Sequence, residues 1–95
     1  MTSIAQIGQF TISYDGRSVV TVTRREVSER DFADMVCKAQ LLAGGFDRSK
    51  PGNSWGCDGV GYHAQQRVGV VQVHNSGVGP RKFAAHIRKL ESGVA

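Results

Sequence analysis

At 95 residues, with 40% hydrophobic and 21% charged side chains and a net charge of +4, the chain is one domain's worth of globular sequence, and wholesale disorder is excluded. A domain this small buries only about 60–65% of its unfolded surface, which leaves little room for a deep substrate pocket beside a core. No apolar run approaches the roughly 20 residues of a membrane helix, and Met1–Ala5 lacks the basic-then-apolar pattern of a secretory signal, so the sequence reads as a soluble cytoplasmic domain with Cys37 and Cys57 as free thiols.

Residues 7–13 and 17–24 are predicted strands of a β-hairpin turning at Asp15-Gly16. A two-residue loop would set Phe10 opposite Thr21 and mix the faces. A three-residue loop with Gly16 left-handed sets Phe10 opposite Val20 and Ile12 opposite Ser18. That gathers Phe10, Ile12, Val20 and Val22 on one face, as a buried face requires.

Ser28 then reads as a helix N-cap, with Asp31 three residues on in a variant of the capping box. Val27 and Phe32 stand at the positions of a hydrophobic staple. Phe32, Met35, Val36, Ala39 and Leu42 follow at helical spacing, and Gly44-Gly45 ends the helix. Glu29 and Asp31 complement its dipole.

Residues 46–59 read as a long loop that holds Lys50, Cys57 and the single tryptophan, Trp55. Residues 60–65 and 67–74 are predicted strands, although Gln65-Gln66-Arg67 between them is poor turn chemistry. Gly77-Val78-Gly79-Pro80 is a break, with Pro80 at the first position of a helix that runs to about Ser92 and buries Phe83, Ile87 and Leu90. The order is ββαββα. It implies an α+β domain in which a four-stranded antiparallel sheet carries two helices packed on one face. The hairpin leaves an exposed edge with which a second copy can pair, giving a homodimer.

Charge is distributed unevenly. Residues 1–66 balance seven basic against seven acidic side chains, while residues 67–95 set Arg67, Arg81, Lys82, Arg88 and Lys89 against Glu91 alone. Arg81 and Lys82 occupy the first helical turn, where the dipole is already positive. With Arg88 and Lys89 they lie off the Phe83/Ile87/Leu90 stripe, forming either a solvated face or an anion-binding one. The asymmetry points to an anionic partner. Trp55 reads as a cap on the core or as a stacking platform beside that face. Cys57, Asp58, His63, His74 and His86 show no standard metal-ligand spacing, and nothing local activates Cys57 as a nucleophile. No cofactor, metal or catalytic role is expected.

From Ser28 to Ser92 the succession of helix, Gly-Gly-Phe, strands, a glycine-broken turn and a basic helix resembles a double-stranded-RNA-binding domain. The resemblance implies that Arg81 and Lys82 grip phosphates. The stretch is also similar to the HicA-type mRNA interferase toxins. That similarity would make His63, in Gly61-Tyr62-His63, the catalytic base, with Tyr62 where those toxins carry serine. The N-terminal hairpin has no counterpart in either family.

Three readings follow, in order. The first is a non-enzymatic module contacting nucleic acid or a nucleoprotein complex through Arg81, Lys82, Arg88 and Lys89, with Arg67, Lys50 and Trp55 contributing. The second is a small phage or mobile-element accessory inhibitor, of the CRISPR-inhibitor kind, docking on a host protein or ribonucleoprotein machine. The third is a small ribonuclease.

Overall fold

The N-terminal alternation folds as three strands rather than two. In the computed structural model, which describes residues 3–44, 55–75 and 79–92, the chain doubles back at Gly8-Gln9. Gly8 sits there at φ 57°, a conformation in which glycine carries no side-chain penalty. The turn places an unexpected strand, β1 (Ser3–Ile7), ahead of β2 (Phe10–Tyr14), which stands where the 7–13 strand was expected, and the two pair antiparallel with Ile7 opposite Phe10.

Asp15 builds the next turn. Its Oδ1 accepts from the amides of Arg17, Ser18 and Val19 at 2.8, 3.0 and 3.1 Å, a local alternative to strand pairing that aspartate favours. The connection is therefore residues 15–18, and β3 (Val19–Arg25) starts later than the sequence suggests. Phe10 stands opposite Arg24 and Ile12 opposite Val22, which corrects the expected register. The expected face survives, because moving the partner from position 20 to position 24 is an even shift and side chains alternate with period two.

The amide of Arg17, followed by that of Val19, holds the Asp15 carboxyl below its usual range, with the Ser18 amide and the Arg17 charge adding to the effect. A carboxylate lowered in the fold stabilises it above the unfolded pKa, and that contribution disappears as pH falls through the folded value. Denaturant midpoints measured downward from the ordinary aspartate value of 3.8 therefore fall more steeply in wild type than in Asp15→Asn. Superimposable profiles would contradict the Asp15 turn.

Val27 is buried and its amide donates to the Arg67 carbonyl at 3.1 Å. Ser28 and Asp31 bond to each other as expected, but the helix starts at Phe32, so Ser28 caps the turn before it and is not the helix N-cap. The Ser28 hydroxyl accepts from the Asp31 amide at 3.2 Å and donates to the Asp31 carboxylate at 3.0 Å. The pair closes a turn at residues 29–31, one turn ahead of the helix proper, α1 (Phe32–Gly44). Ser28→Ala removes both bonds and lowers stability by roughly 1 kcal/mol. It should appear as a reduced denaturant midpoint at constant slope, and an unchanged midpoint would show that the turn does not support the helix.

The expected loop at 46–59 is corrected at its C-terminal end, where residues 55–59 are strand, and its residues 46–54 lie outside the described residues. Trp55, Cys57 and Gly59 belong to β4 (Trp55–His63), while Lys50 lies outside the described residues. β4 returns through residues 64–67 to β5 (Val68–Asn75). The Gln66 and Arg67 amides donate to the His63 and Ala64 carbonyls, and Arg67 takes φ 53°. A left-handed non-glycine residue thus completes a turn that lacks glycine.

Among the described residues the sheet has five strands in the order β1-β2-β3-β5-β4, every pair antiparallel. The element order is βββαββα, which corrects the expected four strands and ββαββα. Val22 opposite Val71 and Val20 opposite Val73 continue the buried face across β3 and β5. Met35 and Ala39 of α1 join those valines in one cluster with Phe83 and Ile87 of α2 (Pro80–Glu91). Both helices therefore bury their apolar faces on the same side of the sheet. The other side presents Thr11, Ser13, Thr21, Thr23, Gln72 and His74, all half or fully exposed. Among the described residues no helix is long and apolar enough to cross a membrane.

Candidate binding surface

α2 is held from several directions. The rings of Phe83 and Tyr14 lie 4.8 Å apart, and the His86 ring nitrogen Nε2 stands 3.1 Å from the Leu42 carbonyl on α1. Ile87 completes the buried edge. Successive helical residues turn by about 100°. Arg81, Lys82, Arg88 and Lys89 consequently share an arc of about 120°, opposite Phe83, Ile87 and Leu90. All four cations are exposed.

The two ends of α2 differ electrostatically. Gly79, in an extended conformation, is the N-cap, and no side chain caps the first turn. Pro80 lacks an amide, and the Phe83 amide bonds to the Gly79 carbonyl at 2.9 Å. No acid stands in this first turn, so Arg81 and Lys82 face the positive end of the dipole. α1 differs in carrying Asp34 in its first turn. At the other end Arg88 and Lys89 complement the dipole, and Ser92 caps by bonding the Arg88 carbonyl through its amide and the Lys89 carbonyl through its hydroxyl.

Of the other expected contacts, Trp55 begins β4 opposite Asn75, the residue that ends β5 just before the connection to α2. Its backbone therefore lies at the end of the sheet where β5 finishes, on the edge strand opposite β1. Arg67 precedes the first residue of β5, Val68, at the opposite end of that strand. Eight residues of strand separate it from the start of α2, roughly 24 Å. Arg67 does not form one cluster with Arg81 and Lys82.

Tyr62 has a structural role. Its hydroxyl donates to the Val27 carbonyl at 2.8 Å and its ring meets Phe32 at 5.3 Å. His63 is exposed at the end of β4, in a shallow depression with Ala64, Gln65 and Gln66, none of which is an acid or a base. Cys37 is free and exposed. Among the described residues no three His, Cys, Asp or Glu side chains converge as a metal site.

The surface that sequence reasoning missed is the uncovered sheet face. Thr11 stands opposite Thr23, Ser13 opposite Thr21, and Thr21 opposite Gln72, giving a flat patch of hydroxyl and amide groups. Its signal was the polar half of the alternation, Thr11-Ile12-Ser13 and Thr21-Val22-Thr23, of which the sequence analysis used only the apolar half. No family model matches the chain, and neither the curated proteins nor the solved structures compared with it return a match.

Proposed function

We propose that the protein is a non-enzymatic binding module whose α2 face engages the phosphates of a nucleic acid, alone or within a nucleoprotein complex. The observation that carries this reading is the grouping of Arg81, Lys82, Arg88 and Lys89 on one exposed arc of a helix whose first turn has no side-chain cap and no acid. Phosphate oxygens accept from guanidinium and ammonium groups, and the positive end of the helix favours the same anion. Trp55 and Lys50 are further contacts proposed from the sequence, with the Trp55 ring as a surface on which a base can stack. Arg67 touches a separate stretch of backbone, which suits an extended polymer better than a small anion.

A second reading is a small accessory inhibitor that docks on a host protein or ribonucleoprotein machine. It is favoured by the hydroxyl and amide patch of Thr11, Ser13, Thr21, Thr23 and Gln72, bordered by Arg25 and Glu26, which offers phosphate no group of cations. The two readings separate in a titration of labelled RNA and DNA oligonucleotides at several salt concentrations. Affinity that falls steeply with salt supports the first, and salt-insensitive or absent binding removes it.

A further inference from the structure

We infer that the outer edge of β1 is a self-association site, where a second copy of this chain adds its own β1 antiparallel and joins the two sheets into one. β1 is the first strand of the sheet order, so a row of its backbone N–H and C=O groups points away from β2. Such a row pairs with another chain unless a charge, a proline, a bulge or a covering element blocks it. β1 reads Ser-Ile-Ala-Gln-Ile, with neither charge nor proline, and pairs with β2 without a register shift. The opposite edge is interrupted. β4 shifts register between Cys57 and Gly59, and Gly56, Gly59 and Gly61 leave it few side chains to pack. Ile4 on β1 is 72% exposed and is the large hydrophobic residue that the described surface leaves open.

Charge identifies the occupant as a second copy. The chain carries 12 basic and 8 acidic side chains, yet none falls between Met1 and Tyr14. Pairing through the β1–β2 hairpin lets two copies meet with no charged side chain of one hairpin set against that of the other. A partner that recognises charge finds none on the hairpin's own side chains, the neighbouring Arg25 and Glu26 standing at the end of β3 beside Gln6 and Gln9. An antiparallel pairing about a two-fold axis is self-complementary, and it sets Ile4 and Gln6 of one copy beside those of the other on the uncovered side. Because α2 packs against β1, the same axis brings the two α2 helices to one side of the joined sheet. The basic face is thereby doubled, although the pairing itself does not rest on the phosphate reading.

A pair of five-residue strands is a small interface beside the roughly 1,200–2,000 Å² of stable complexes, so association should depend on concentration. Sedimentation equilibrium of the full chain without nucleic acid, from micromolar to millimolar concentration, tests this. Wild type should rise from 10.3 kDa toward twice that mass, and its β1 amides should exchange more slowly as concentration increases. Ile4→Lys places a cation of each copy near the axis, and should stay at 10.3 kDa with an unchanged thermal midpoint. Gln6→Lys, on the same face, is the second variant should the first fail to fold. A wild type that stays monomeric throughout overturns the inference. So does a folded lysine variant that associates as wild type does.

Discussion

Gly69→Val is expected to cost about 3 kcal/mol or more, at the upper end of overpacking penalties. Gly69 is buried on β5, directly under α1. A Cβ built there lies 2.9 Å from the Met35 sulfur and 2.9 Å from two carbons of the Phe32 ring. Side-chain carbons do not approach that closely, so the helix must lift or both side chains must leave their rotamers. Met35 is fully buried, whereas Phe32 is only half-buried. A domain of this size holds roughly 5–15 kcal/mol in total, and each kcal/mol moves its melting temperature by about 4–8 °C. The valine variant should therefore melt more than about 10 °C below wild type, or fail to fold. Gly69→Ala meets the same atoms with less bulk and keeps the test readable. In a Phe32→Leu background its penalty should shrink, because the two sites share one space. Additive costs would show that the close approach of α1 to β5 is not what requires glycine.

That close approach illustrates what the sequence made legible. The apolar periodicity of Phe32, Met35 and Ala39 located α1, and the alternation of Phe10, Ile12, Val20 and Val22 located the buried face of β2 and β3, because both patterns are set by burial. Gly69 offered no such pattern. Its requirement comes from a helix packed across the strand, a contact between residues more than thirty positions apart. The boundaries were missed for local reasons. Gly8-Gln9 turns the chain with one left-handed residue, and a lone glycine within an apolar alternation does not announce a turn. Gly16 is left-handed as expected, at φ 87°, but the Asp15 side chain holds residues 17–19 in a longer connection, so the expected three-residue loop misplaced the pairing. Trp55 and Cys57 sit in β4 although glycines surround them, because pairing with β5 overrides weak strand propensity. On α2 the sequence sufficed. The same 3.6-residue period that buries Phe83 and Ile87 turns Arg81, Lys82, Arg88 and Lys89 outward.

The basic arc itself should be decided by Arg81→Ala combined with Lys89→Ala. Both side chains are exposed, and they sit near opposite ends of α2. If each contacts a phosphate, two fewer counterions are released on binding. The slope of log K against log salt should then flatten by about 1.8 for duplex DNA, or about 1.4 for a single strand. Hydrogen bonds to charged groups contribute roughly 1.5–3 kcal/mol each, so low-salt affinity should fall at least tenfold. Stability should barely move, for a reason specific to these positions. Arg81 opposes the positive end of the helix dipole and Lys89 complements the negative end, each by about 0.3–1 kcal/mol at low salt, with opposite signs. Arg81→Ala alone should accordingly raise the thermal midpoint slightly, and Lys89→Ala alone should lower it. A cation at a position that weakens its own helix is better explained by an external anion than by folding. Should the double variant bind with the affinity and salt slope of wild type, the α2 face is a solvated surface, and the uncharged sheet face of Thr11, Ser13, Thr21, Thr23 and Gln72 becomes the leading contact.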